Sequence, residues 1–158
     1  MRWLYLVIWI IGCLAVGGIG GRWTGSEIPG WYRTITKPSF NPPNWIFGPV
    51  WTTLYILMAI AAWLVAESPD SQSRSLGLAL FVFQLALNLA WSWIFFHRHA
   101  IGPAAVEVAV LWCAIGATTL VFSRVSSTSA WLMAPYWAWV TFASILNAAI
   151  WRLNPNAG

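Results

Sequence analysis

Five runs of about twenty apolar residues, each bounded by charge or by Pro and Gly, constrain this chain more than any other feature. They read Trp3 to Gly21, Trp45 to Ala66, Leu76 to Phe96, Pro103 to Phe122 and Ala130 to Trp151. A helix needs about 20 such residues to cross a bilayer, and helices and closed barrels alone satisfy every backbone N–H and C=O in hydrocarbon. Composition closes off the alternatives. Of 158 residues, 8 are Lys or Arg and 4 are Asp or Glu, too few to cover a soluble domain of this size. A hydrophobic fraction of 59% with 14 tryptophans excludes disorder. Cys13 and Cys113 both lie in apolar runs, which excludes a disulfide scaffold. The expected fold is an all-α membrane protein. It is a single domain over residues 1–158, a bundle of five transmembrane helices with a structured loop between helices 1 and 2.

The first run is long for the h-region of a signal peptide, about 7–15 residues, and reads as an uncleaved helix, with a targeting segment followed by a four-helix protein as the alternative. Five spans put the termini on opposite sides. Arg2, Arg74 and Arg124 fall on the N-terminal side; Arg22, Arg33, Lys37, Arg98 and Arg152 fall on the other. The basic excess marks that second side as cytoplasmic, with the N-terminus out and the C-terminus cytoplasmic. The net charge of +4 therefore bears on topology and is no argument for nucleic-acid binding.

The connections after the second, third and fourth runs are short, as between antiparallel neighbours in a bundle. The segment from Arg22 to Asn44 is long and carries Glu27, Pro29, Trp31, Tyr32, Lys37, Pro38, Pro42 and Pro43. A loop of that kind reads as a lid. The Pro42-Pro43 pair suits the start of a span, with Asn41 or Asn44 expected as its cap and Pro49 in or just beyond the first turn. Trp51 and Tyr55 then share a face, and Trp51 lies deeper than an interfacial belt residue.

Further on, Gln84, Asn88 and Trp91 form one stripe in mid-membrane. Uncharged amides in hydrocarbon need partners, so the stripe faces inward, as interhelical glue, as pocket lining, or as both. In the fifth run Pro135 is expected to kink the helix, and Trp139, Ala143 and Asn147 share an i, i+4 stripe. Trp151-Arg152 reads as an interfacial anchor. Cys13, Gly17 and Gly21 form a small-residue face for close packing, inside the bundle or across a dimer. Glu107 is the only acid well inside a run and is expected to be paired, with Arg98 as candidate partner. His97 and His99 could ligate haem iron or a metal, although two His at a helix end are more often ordinary loop residues. No CxxC, P-loop, nucleophile elbow or H-E-x-x-H occurs.

Gly21-Arg22-Trp23, Trp31-Tyr32, Lys37-Pro38, Pro42-Pro43-x-Trp45, Pro49-Val50-Trp51-Thr52-x-Leu54-Tyr55, Gln84-Leu85-Ala86-Leu87-Asn88-x-Ala90-Trp91, Phe95-Phe96, Pro135-Tyr136-x-Ala138-Trp139 and Leu146-Asn147 with Trp151-Arg152 together resemble the TspO/MBR family over nearly the whole chain. The resemblance implies a five-helix bundle, usually a homodimer, with a ligand cavity closed by the loop after the first helix. It implies binding of porphyrins, haem and drug-like ring ligands, and in animal members cholesterol. The family's pocket positions match Tyr32, Trp51, Gln84, Asn88, Trp91, Trp139, Ala143 and Asn147, and Tyr55 is added because it shares the face of Trp51. Some bacterial members degrade protoporphyrin in light through a Trp pair that matches Trp51 and Trp139. One departure counts against sterol binding: the Tyr that follows Leu-Asn in the animal sterol motif is Ala148 here.

The expected function is a membrane receptor, sensor or carrier that binds protoporphyrin IX or haem as ligand and requires no cofactor. Trp51, Trp91 and Trp139 would flank the flat ring, Asn88, Asn147 and Gln84 would give polar contacts, and Arg22, Arg33 and Lys37 would meet its propionates. The alternatives are a light- and oxygen-dependent porphyrin-degrading enzyme using Trp51 and Trp139, or a lipid or sterol exchange protein. The lack of a transit peptide and the short tail lean towards a bacterial envelope membrane, with a mitochondrial outer membrane the other possibility.

Overall fold

A computed structural model describes residues 2–156. Helix α1 spans Arg2–Glu27, and a short helix α2, Trp31–Thr34, sits in the loop that follows. A 3-10 turn, Asn44–Ile46, leads into α3, Phe47–Ala66. Helix α4, Gln72–Ser92, ends in a π-helical turn, Trp93–His97. Helices α5, Ile101–Ser123, and α6, Ser127–Leu153, complete the chain, and there is no strand among the described residues.

Local chemistry accounts for the ends. Ser71 caps α4 by accepting the backbone N–H of Arg74, and Ser126 caps α6 by accepting that of Ser129. Pro49 falls in the first turn of α3, where its missing N–H costs no helical bond. The expected Asn caps are absent. Pro43 holds that position, with an extended ψ of 141° and no side-chain bond, while Asn41 turns back to the loop. The first helix also runs six residues past the expected Gly21, to Glu27, so the connecting loop shrinks to residues 28–43. Pro135 lies inside α6, which continues without interruption from Ser127 to Leu153.

Four segments, Arg2–Glu27, Asn44–Ala66, Gln72–His97 and Ile101–Ser123, are long and apolar enough to cross a membrane. Helix α6 is 27 residues long yet falls outside that set, so the expectation of five apolar spans holds for four. The cause is the polar content of α6, much of which turns inward: Asn147 is buried and hydrogen-bonded to two neighbouring helices.

Helices α1 and α3 run antiparallel. Arg2 pairs with Glu67 at 3.3 Å, Trp3 stacks on Trp63 at 5.9 Å, and Gly17 lies against Tyr55. A Cβ added at Gly17 would sit 2.5 Å from the Tyr55 ring, so only Gly permits this approach. The small-residue face of α1 thus packs inside the bundle through Cys13 and Gly17. One core cluster joins Cys13, Tyr55, Met58, Phe81, Leu111 and Tyr136 from all five long helices. A second joins Tyr32 and Ile35 of the loop to Phe95, Phe96, Ile101, Leu146 and Ile150. Trp3 and Trp131 are exposed at one end of the bundle, and Trp45 and Trp151 at the other, as two interfacial belts would require.

Glu107 corrects the sequence reading. Both carboxylate oxygens are buried and neither has a hydrogen-bond partner. Arg98 instead lies over the Trp93 ring at 5.5 Å, because its turn carries it outward to the surface.

Candidate functional site

A cavity of about 430 Å³ lies between α1, α3, α4 and α6, within the roughly 300–1,000 Å³ usual for small-molecule sites. Of the nine lining residues expected from the sequence, Tyr32, Trp51, Tyr55, Asn88, Trp91, Trp139, Ala143 and Asn147 border it. The ninth, Gln84, does not. It is fully buried behind the wall, where its Oε1 accepts a 2.8 Å bond from the Tyr136 hydroxyl.

The amides serve as glue and as lining together. The Tyr55 hydroxyl donates to Asn88 Oδ1, and Asn88 Nδ2 donates to the Tyr136 hydroxyl at 3.0 Å, which in turn donates to Gln84 Oε1. This chain ties α3, α4 and α6. Asn147 forms the other joint: its Oδ1 accepts from Trp91 Nε1 at 3.0 Å and its Nδ2 donates to the Ile101 carbonyl at 3.0 Å. The i, i+4 spacing of Gln84 and Asn88 puts both on the inner face of α4, and Tyr136 answers them from α6.

The remaining walls are aromatic. Trp51 packs edge-on against Tyr136 at 6.2 Å, and Trp91 stacks on Phe95 at 5.4 Å. Trp139 sits between Phe47 at 6.3 Å and Phe142 at 5.4 Å. The three tryptophans come from α3, α4 and α6. The fourth wall is α1, which presents Gly17, Gly18, Gly20, Gly21 and Gly25. Sequence reasoning read Gly17 and Gly21 as a packing face and missed the glycine wall; the run Gly17-Gly18-Ile19-Gly20-Gly21 was its signal. Tyr136, the centre of the hydrogen-bond chain, was also missed as a site residue, although it stands in the Pro135-Tyr136-x-Ala138-Trp139 motif.

The loop over residues 28–43 closes one end. Tyr32 is 3% exposed and its hydroxyl donates to Asn41 Oδ1 at 2.8 Å. Burial pushes that phenol up to about 12. Asn154, just past α6, holds the loop from below: its Oδ1 accepts the Thr36 N–H at 2.9 Å and its Nδ2 donates to the Thr36 carbonyl at 2.8 Å. Glu27 meets His99 Nε2 at 2.9 Å, and Trp31 stacks on the His99 ring at 4.2 Å with 14° between planes.

Three groups named from the sequence as charge partners or as weak metal-ligand candidates lie away from the cavity. Lys37 donates to the carbonyls of Tyr32 at 2.6 Å and Ile35 at 2.9 Å, so it locks the loop and does not reach the cavity. Burial also lowers its ordinary value. Arg22 and Arg33 are exposed and lie outside the cavity wall. His99 is held by Glu27 and Trp31, His97 stacks on Trp93 at 6.0 Å, and neither borders the cavity. Among the described residues no group of three His, Cys, Asp or Glu could hold a metal ion.

The sequence profile of the TspO/MBR family matches residues 9–152. A tryptophan-rich protein TspO from Chlorobaculum tepidum is 42% identical over 144 residues, covering 90% of this chain and 91% of that protein. Protein CrtK from Rhodobacter capsulatus is 38% identical over 150 residues, 94% and 91% of the two chains. The translocator protein of Homo sapiens is 38% identical over 146 residues, 91% and 84% of the two chains.

Proposed function

The chain belongs to the TspO/MBR family and is an integral membrane protein, and from that premise we propose that it is a receptor or carrier for tetrapyrroles. One observation carries the reading: three tryptophans from three helices line one mainly apolar cavity of about 430 Å³. Flat aromatic walls favour a flat ring, by about 0.5–1.5 kcal/mol for each well-placed pair. All five long helices cross the bilayer in this reading, α6 included, with the N-terminus on the non-cytoplasmic face. The five basic residues gathered at the loop end of the bundle support that orientation.

Among the described residues no His, Cys or Met borders the cavity, and the Tyr32 and Tyr55 hydroxyls are engaged within the protein. The ring is therefore held by stacking and not through iron. Titration of protoporphyrin IX and haem into solubilised protein, followed by Trp fluorescence quenching, tests this. Both ligands should saturate with affinities within roughly tenfold of each other, and Trp51→Phe or Trp139→Phe should weaken each by roughly two- to tenfold. Absence of saturable binding, or haem binding that depends on His97 or His99, overturns the reading.

A second reading has its own support: Trp51 and Trp139 face one cavity from different helices. Illumination in air that bleaches bound protoporphyrin in the parent protein, but not in either Phe variant, would establish the degrading enzyme instead.

A further inference from the structure

The cavity has an open side, and it is not the loop. Most of its lining residues are buried or half-buried. The fully exposed ones are Gly18, Gly21 and Gly25 of α1, and Asn44, Gly48 and Thr52 at the start of α3. All six belong to α1, or to α3 and the 3-10 turn that leads into it. The antiparallel register fixed by Arg2 with Glu67, and by Gly17 with Tyr55, sets the first three opposite the last three. A Cβ added at Gly18, Gly21, Gly25 or Gly48 would meet nothing within 4 Å. Helices α1 and α3 therefore touch at Gly17 and Tyr55 and leave a slot beyond, roughly 10 Å long at 1.5 Å per residue.

The slot lies in two segments that are long and apolar enough to cross a membrane, so it faces lipid. Helix α1 is the least anchored of the candidate spans: 11% of its most apolar window is buried, against 28–50% for the others. The loop end is fastened by the Tyr32–Asn41 and Thr36–Asn154 bonds and by the Glu27–His99 contact. The exposed Arg22 and Arg33 stand at the end of the molecule where the slot meets the interface.

We infer that the cavity is filled from the side, through the α1–α3 slot, by a flat amphiphile already dissolved in the bilayer, whose acidic edge stays at headgroup level. This rests on the tetrapyrrole reading and names the phase its ligand comes from. Bulk placed in the slot should slow binding and release together while the lid stays irrelevant to both.

Two experiments separate this inference from the reading beneath it. The first uses no ligand. A nitroxide on Thr52→Cys, with Cys13→Ala and Cys113→Ala, is examined in lipid nanodiscs by spin-label accessibility. Collision with dissolved oxygen should exceed collision with a water-soluble nickel chelate. Low contact with both means that a second copy or a closed helix pair covers the slot, and dominant nickel contact means that it holds water; either overturns the inference.

The second follows transfer of protoporphyrin IX from phosphatidylcholine vesicles. Gly21→Leu with Gly48→Leu, which fills the slot, should slow both association and dissociation by roughly tenfold. Asn154→Ala, which removes both loop bonds to the end of α6, should leave both rates unchanged. Wild-type rates in the slot variant, or faster exchange in the loop variant, overturn lateral access. Failure of the parent protein to bind porphyrin overturns the tetrapyrrole reading, and the nitroxide result then decides the slot alone.

Discussion

Asn88 shows how the sequence reads a residue correctly and its purpose incompletely. Its position on an inward stripe follows from helical spacing, and both polar atoms are engaged as an amide in hydrocarbon requires. That its partners are Tyr55 and Tyr136 depends on how three helices approach, which no local pattern encodes. Gln84 was misplaced for the same reason: i, i+4 spacing gives a face, not a depth, and the Tyr136 hydroxyl reaches it behind the wall. Tyr136→Phe removes the shared hydroxyl and strands Gln84 Oε1 and Asn88 Nδ2. We expect a loss of about 1–3 kcal/mol in stability, read as a lower midpoint in denaturant unfolding in micelles. An unchanged midpoint would show the chain of bonds to be incidental. Gly17→Ala is expected to be destabilising by a similar 1–3 kcal/mol, because its methyl group must displace the Tyr55 ring at the α1–α3 contact; thermal unfolding of the purified variant checks it.

At the scale of elements the loop was legible as a lid but not in its bounds. A run of apolar residues marks where a helix leaves hydrocarbon, and α1 goes on for a turn and a half beyond that, through Arg22 to Glu27. The lid's fastenings join residues far apart in sequence, Thr36 with Asn154 and Glu27 with His99, and so could not be read from spacing. Tyr32 gives the lid a defined alkaline limit. Burial favours its neutral phenol, so its contribution is complete below the ordinary Tyr value of about 10 and is lost as pH rises towards about 12. Proteolysis of the loop should be constant between about pH 6 and 9 and rise above about pH 10. Tyr32→Phe, which has no proton to lose, should remove the alkaline rise attributable to that group.

For the whole molecule, the all-helical fold and the antiparallel run of long helices were readable because hydrocarbon leaves the backbone so few choices. Hydropathy recognises four spans and passes over α6 because that helix carries polar groups, the buried ones turned inside: Asn147 on Trp91 and Ile101, Tyr136 on Asn88 and Gln84. At 27 residues it is about 40 Å long, sufficient to cross. Tags at the two termini should therefore lie on opposite faces of the membrane, as protease protection in intact and opened vesicles will report; tags on the same face would mean that α6 does not cross. The satisfied amides of the cavity carry a last consequence. A wall whose buried amides are already spoken for has little vocabulary left with which to question a guest's substituents. It asks about shape. On the tetrapyrrole reading, affinity across a series of ring compounds should follow the area of the planar face and stay nearly indifferent to the pattern of groups around its edge: the form would be recognised, and the choice of ligand left to whatever the surrounding membrane dissolves.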